Sequence, residues 1–208
     1  MYVADGLFDV GIAGRDWIEE TSSDVVPLGE LKYSKVTAEP VKIVVAVPAD
    51  SEYESIADLP QGVRVSSEYP ELTNRHFAAA GIEAEVMLSY GATEAKAPEI
   101  VDAVVDLTET GSALRAAGLK IIDEILTSYT EIFANNQTYE DPEKRKAMEQ
   151  IKTLLDGVLD ARGRVLMKLN VGASELDQVI RMLPSMKAPT VIELWGGGGF
   201  AVETVGNK

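Results

Sequence analysis

The sequence predicts an α/β fold, and three observations predict it. Short β-branched runs, Ile43-Val-Val-Ala-Val-Pro48, Val63-Arg-Val65, Ala84-Glu-Val-Met-Leu88 and Ala103-Val-Val-Asp-Leu107, alternate with helix-forming stretches at a spacing that suits a parallel sheet with right-handed crossovers. From Arg164 onward the pattern changes to strand, helix, strand, strand, the start of a split βαβ, ferredoxin-like unit. The 208 residues, 46% apolar and 25% charged, are enough to bury a sizeable core.

Taken in order, Asp9-Val-Gly-Ile-Ala13 reads as a short buried strand. Glycines 11 and 14 flank its end and suit either a tight strand-to-helix turn or the close approach of a ligand. A second apolar stretch runs from Val25 to Leu31, and a polar loop, Lys32-Tyr-Ser-Lys35, follows. Ile43 to Pro48 is a strand that its proline ends. Ser55 to Gly62 reads as a short helix leading into Val63. The segment after Val65 enters a helix that stops at Gly81, with Arg75 either near an anion or simply exposed on that helix. Leu119 to Leu126 and Thr130 to Ala134 read as two more strands. Asp141-Pro142-Glu143 is a helix start with an Asx cap and proline in the first turn. Met148, Ile151, Leu155 and Val158 share one stripe of that helix and are expected to pack against the preceding domain. Gly196 to Gly199 precede a strand and not a helix, so they read as a hairpin loop and not as a phosphate cradle.

Charge and composition exclude several classes of function. Nineteen Lys and Arg against 34 Asp and Glu give a net charge of −15, which disfavours capture of nucleic acid or of an anionic membrane. An anionic ligand therefore needs local help from a divalent cation, oriented backbone N–H groups and a few basic side chains. The absence of cysteine removes disulfides, thiolate nucleophiles and Cys-based metal sites. No apolar run reaches the length of a membrane span, and no signal-peptide pattern opens the chain, so a cytoplasmic location is expected.

The stretch richest in chemistry is Asp102 to Leu114, where an apolar strand ends near an acid and a Thr110-Gly111 turn opens a helix. Such a turn aims backbone N–H groups and hydroxyls at one point, which suits a phosphate. Asp106, near the strand end, is placed to bond sugar hydroxyls beside that anion.

Five ordered motifs carry a resemblance. Gly11-Ile-Ala-Gly-Arg-Asp-Trp-Ile18, Glu68-Tyr-Pro-Glu-Leu-Thr-Asn-Arg75, Gly91-Ala-Thr-Glu94, Asp102 through Leu114 and Gly118-Leu-Lys120 together resemble ATP phosphoribosyltransferase, the first enzyme of histidine biosynthesis. The last segment, including Lys187-Ala-Pro-Thr190, resembles the regulatory domain of that enzyme's long form. The resemblance implies a two-lobed, periplasmic-binding-protein-like catalytic part followed by an incomplete ferredoxin-like (ACT-like) regulatory domain. It puts lobe I at 1–60 and 128–160, lobe II at 61–127 and the regulatory part at 161–208.

The implied reaction transfers phosphoribosyl from phosphoribosyl pyrophosphate to N1 of ATP with release of pyrophosphate. It requires Mg²⁺ and is inhibited by histidine. Asp106 and Glu94 are then the implied catalytic acids, with Glu94 serving metal or ribose. Thr108, Thr110, Gly111, Ser112, Ala113 and Leu114 are implied to cradle the 5-phosphate and ribose, with Arg75, Arg15 and Asp16 as further substrate contacts. Met186, Ala188 and Thr190 are implied to meet the histidine inhibitor. Ala113 departs from the hydroxyl residue usual at its position, which leaves one phosphate contact to Ser112. The resemblance also leaves family segments without a counterpart at both ends, so weak or no turnover is expected of this chain alone. Self-association as a dimer, or as a hexamer through the tail, is expected. The competing reading is a solute-binding or histidine-binding module of the same fold that performs no chemistry.

Overall fold

The structure, a computed structural model, describes residues 1–31, 40–183 and 188–207. The expected Lys32–Lys35 loop, and Met186 and Lys187, lie outside the described residues. The chain divides into two compact units, Met1–Thr153 and Leu154–Lys208.

In chain order the first unit carries β1 (Val10–Gly14), α1 (Arg15–Glu20), β2 (Val26–Leu31), β3 (Val41–Pro48), β4 (Val63–Ser67), α2 (Pro70–Ala79), β5 (Ala84–Leu88), β6 (Ala103–Thr108), α3 (Ser112–Ala116), β7 (Leu119–Ser128), β8 (Thr130–Ala134) and α4 (Asn136–Glu140). It ends within the helix α5 (Pro142–Ala161). Among the described residues these strands form two sheets: a three-stranded antiparallel sheet in the order β1-β8-β2, and a five-stranded sheet in the order β5-β4-β6-β3-β7.

The five-stranded sheet corrects two expectations. It is mixed and not parallel: β4 runs parallel to β5 and β6, whereas β3 is antiparallel to both β6 and β7. Periodicity marks a strand but carries no direction. The stretch from β3 to β4 also holds only a 3-10 turn at Ile56–Asp58, not the crossover helix that a parallel neighbour requires. Second, β3 belongs with residues 63–128 and not with the first lobe's 1–60. Its residues Ile43 through Val47 are all buried, the odd ones in a cluster with Val63, Val65, Leu72 and Phe77 and the even ones in a cluster with Val104, Leu114 and Leu119. A run that is apolar on both faces fits only the interior of a sheet covered on both sides.

Two further differences concern the helices. A short helix, α4, precedes α5 and is capped by Asn135, whose Oδ1 accepts the N–H groups of Gln137 (3.0 Å) and Thr138 (3.1 Å). Its Asn-Gln-Thr-Tyr sequence offers no apolar stripe, so periodicity does not reveal it. The helix α5 begins as expected, with Asp141 Oδ1 accepting the Glu143 N–H at 2.8 Å. Of its stripe, Met148 is buried but Ile151 and Val158 are exposed, so the expected packing holds only in part. Spacing tells which residues share a face, not what covers it.

The second unit contains the end of α5, β9 (Arg164–Gly172), α6 (Leu176–Met182), β10 (Thr190–Glu193) and β11 (Gly199–Asn207). The sheet order is β10-β11-β9, with β11 antiparallel to both neighbours, which is the split βαβ arrangement. Val202 and Thr204 are buried, and Glu203 between them pairs with Lys168 at 2.7 Å, the alternation of a sheet with one covered face. Gly196, Gly197 and Gly198, with φ between 75° and 93°, make the hairpin between β10 and β11.

Candidate functional site

The carboxyl ends of the parallel strands β4, β5 and β6 converge on one rim of the five-stranded sheet, where open α/β sheets present ligand sites. At the end of β6 the chain turns through Thr108 to Gly111 into α3. Gly111, at φ 70°, makes the turn, and its N–H donates to Thr108 Oγ1 at 2.7 Å. The Thr110 hydroxyl donates to Ser112 Oγ at 3.1 Å, and the Ser112 N–H points to Thr110 Oγ1 at 3.4 Å. The loop's donors are thus held in place by its own hydroxyls, groups that an incoming anion can replace one for one.

Leu114 is buried against β3, β6 and β7, so its side chain anchors α3 and does not reach a ligand. Ala113 is exposed beside it. A basic group not anticipated from the sequence borders the turn: a Cβ on Gly111 would lie 2.8 Å from Arg115 Nη1. The available signal was spacing, since Arg115 follows Gly111 by four residues, one turn along the short helix.

Asp106 is half-buried in β6, and its Oδ1 accepts the Leu107 N–H at 2.7 Å. Burial pushes its carboxyl above the ordinary carboxylate range. The Leu107 bond opposes this, and the neighbouring charges of Glu94 and Glu68 add to the rise. Glu68 Oε1 in turn accepts the Gly91 N–H at 3.1 Å, tying the β4–α2 turn to the loop that carries Glu94. Lys96, on that loop, donates to Ser89 Oγ. Acids whose charges reach Asp106 in this way are stabilised by a cation or by hydroxyl donors such as those of a sugar. Among the described residues no group of three or more His, Cys, Asp or Glu is placed to hold a metal. A divalent cation carried on a diphosphate needs only one or two protein carboxylates, and Asp106 and Glu94 are acids whose charges reach each other.

Three residues expected at the substrate are engaged elsewhere. Asp16 is buried, where its Oδ2 accepts the Tyr69 hydroxyl (2.9 Å) and its Oδ1 the Ser128 hydroxyl (2.6 Å). Arg15 pairs with Glu131 at 3.2 Å and Glu19 at 3.3 Å. Arg75 donates to the Glu19 carbonyl (2.5 Å) and to Ser22 Oγ (3.1 Å). Each of these groups serves contacts between α1 and its surroundings. Tyr69, Trp17 and Glu68 enter the picture instead. The Trp17 and Tyr69 rings lie 5.3 Å apart, tilted by 51°, with Trp17 partly exposed. Burial, with the Asp16 charge second, pushes the Tyr69 hydroxyl far up, so it is a donor throughout the physiological range. The charges of Glu68, its neighbour in sequence, and of Asp106 add to that rise.

In the second unit, Ala188 and Thr190 line a 380 Å³ pocket together with Arg164, Leu166, Glu203 and Val205.

Comparison with known proteins places the chain as a whole. A family model described as ATP phosphoribosyltransferase matches residues 1–157, and one described as the HisG C-terminal domain matches residues 161–208. An ATP phosphoribosyltransferase from Desulforudis audaxviator is 45% identical over 207 residues, covering 100% of this chain and 71% of that protein. One from Nitratidesulfovibrio vulgaris is 48% identical over 205 residues, covering 98% and 70%. Among solved structures, the ATP phosphoribosyl transferase (HisG:HisZ) complex from Thermotoga maritima matches with a TM-score of 0.64 and 25% identity, over 76% of this chain and 74% of that one. A periplasmic sulfonate-binding protein from Methylobacillus flagellatus, at TM-score 0.50 and 18% identity over 86% of this chain and 55% of that one, shares the fold alone. The turn, the acids and the two-unit architecture therefore stand in a chain that belongs to the ATP phosphoribosyltransferase family.

Proposed function

We propose that the first unit carries out the transfer for which its family is named, at the rim formed by Asp106 and the Thr108–Ser112 turn. The bond from the anomeric carbon of phosphoribosyl pyrophosphate to its pyrophosphate oxygen breaks, and a bond from that carbon to N1 of the ATP adenine forms. The observation that carries this reading is the turn itself: oriented N–H and hydroxyl donors at Thr108, Thr110, Gly111 and Ser112, with the Arg115 guanidinium beside Gly111 and the half-buried Asp106 one strand-end away.

The donors bind the 5-phosphate, and Asp106 accepts from the ribose hydroxyls. Positive charge grows on the sugar ring as the leaving group departs, and the carboxylates of Asp106, Glu94 and Glu68 stabilise it. The reaction requires no general base on the protein, since N1 attacks with its own lone pair; orientation supplies most of the rate. Glu94 and Asp106 would be the residues to hold Mg²⁺, which would supply charge neutralisation for the pyrophosphate. The exposed face of Trp17, beside Tyr69, offers a stacking surface for adenine.

In the second unit, the pocket lined by Ala188 and Thr190 is proposed as the place where histidine acts. Arg164 there suits its carboxylate and Glu203 its ammonium. Feedback inhibition, self-association as a dimer or hexamer and a cytoplasmic location complete the proposal. The charge of −15 speaks against a nucleic-acid partner. No helix among the described residues is long and apolar enough to cross a membrane.

The test is to incubate the chain with ATP, phosphoribosyl pyrophosphate and Mg²⁺ and to follow the phosphoribosyl-ATP product. Product formation that Thr110→Val lowers by about tenfold or more supports the reading. A binding-only module would retain phosphoribosyl pyrophosphate without forming product.

A further inference from the structure

The short helix α1 buries two acids, Asp16 and Glu20, that stand four residues apart on one face and have no basic partner in their hydrogen bonds. Their partners all come from the five-stranded sheet and its helices. Glu20 Oε1 and Oε2 accept the N–H groups of Glu71 (3.0 Å) and Leu72 (2.8 Å), the first-turn donors of α2 that no side chain of α2's own N-cap residue satisfies. Arg75 on α2 returns the contact by donating to the Glu19 carbonyl near the C-terminus of α1. The two helices thus cap each other.

Asp16 adds a second tie, through the hydroxyls of Tyr69 and Ser128, and its own N–H donates to Ser128 Oγ at 3.1 Å. Ser128 ends β7 and stands one residue before the crossover to the three-stranded sheet. Tyr129, which makes the crossover, accepts the Arg15 N–H at 2.9 Å. Even the sequence before α1 serves this contact, because a Cβ on Gly14 would lie 2.1 Å from Asp16 Oδ1. On its other side Tyr69 follows Glu68, whose carboxylate holds the Gly91 N–H of the loop bearing Glu94.

We propose that Asp16 and Glu20 are positioning residues for the transfer. They dock α1 on α2, fix the angle between the two sheets, and through Tyr69 and Glu68 fix the loop that faces Asp106. The effect on the reaction rests on the function proposed above; the docking does not.

The variants are Glu20→Ala, its conservative partner Glu20→Gln, and Gly14→Ala. The last places its methyl group on backbone that alanine adopts freely (φ −69°, ψ 144°), so it disturbs only the Asp16 carboxylate. Hydrogen exchange is read at Glu71 and Leu72, and steady-state kinetics are run with both substrates. In Glu20→Ala, exchange at the two amides is expected to rise about tenfold or more while the β3 amides keep wild-type rates. KM for phosphoribosyl pyrophosphate is expected to rise about fivefold in Glu20→Ala and Gly14→Ala with kcat within about threefold of wild type. Glu20→Gln, which keeps one acceptor oxygen for the two amides, should keep one of them protected and recover part of the KM effect. Wild-type exchange and KM in Glu20→Ala and Gly14→Ala overturn the proposal, as does a lowered melting temperature with KM unchanged. If the wild-type chain neither turns over nor binds phosphoribosyl pyrophosphate, the functional reading fails, and exchange with small-angle scattering still decides the docking. A larger radius of gyration in Glu20→Ala supports it; an unchanged radius with unchanged exchange overturns it.

Discussion

Asp106 is a carboxyl placed where its own charge is disfavoured, by burial first and by Glu94 and Glu68 after it. Its folded-state proton affinity is therefore above that of the unfolded chain. As pH rises through the window that starts at the ordinary carboxylate value, the unfolded state loses this proton before the folded state does, and stability falls. Asp106→Asn removes that loss. Its thermal unfolding is expected to match wild type below the window and to exceed it near neutral pH, by less than about 1 kcal/mol because solvent still screens a half-buried group. A scan of melting temperature between acid and neutral pH reads this difference directly; an Asn variant less stable than wild type at neutral pH would mean that the Asp106 charge is not disfavoured there. Gly111 offers a second residue-scale test. A side chain there meets both the φ of 70° and Arg115 Nη1 at 2.8 Å, so Gly111→Ala is expected to cost about 1–2 kcal/mol in denaturant unfolding. Much of this was legible in the sequence, since Asp106, Thr110 and Gly111 announce an acid and an anion turn by type and spacing. Arg15, Asp16 and Arg75 were not, because a charged residue's partner is chosen by tertiary contacts. Those contacts come from Glu131, Tyr69, Ser128 and Ser22, residues far away in the chain.

At the scale of the element, strands and their limits followed from β-branched runs and prolines, and α5 from its Asp141-Pro142 start. Strand direction and sheet membership did not, as β3 shows. Its five buried residues declare a central strand, yet nothing in them tells whether β6 is met parallel or antiparallel. One side chain helps to fix the pairing of β4 with β6. Asp102 accepts the Arg64 N–H and Nε at 3.0 and 3.1 Å and Nη2 at 2.7 Å, and its own N–H donates to the Arg64 carbonyl. The Arg64 hydrogen bonds hold the Asp102 carboxyl below the usual range, so its contribution is present above the ordinary carboxylate value and is lost as pH falls through the lower folded value. Because the pair is partly exposed, Asp102→Ala is expected to cost only about 0.5–1 kcal/mol at neutral pH, measured by urea unfolding, and less in acid. A cost unchanged in acid would place the effect in the backbone and not in the ion pair.

For the whole molecule, the sequence changes rhythm at Arg164, where the βαββ tail begins, and the structure divides the chain within the α5 helix, between Thr153 and Leu154. The charge of −15 sets the remaining condition for the proposed function: the protein as a whole repels anions, so a site at the turn would depend on local donors and on a divalent cation. The most direct measurement is calorimetric titration of the chain with phosphoribosyl pyrophosphate, with and without Mg²⁺, beside the Asp106→Asn variant. The account predicts one site on the wild-type chain in the presence of Mg²⁺, weakened by about tenfold or more, equivalent to about 1.4 kcal/mol, in Asp106→Asn. Equal affinity in the two proteins, or no binding to the wild-type chain, would contradict it.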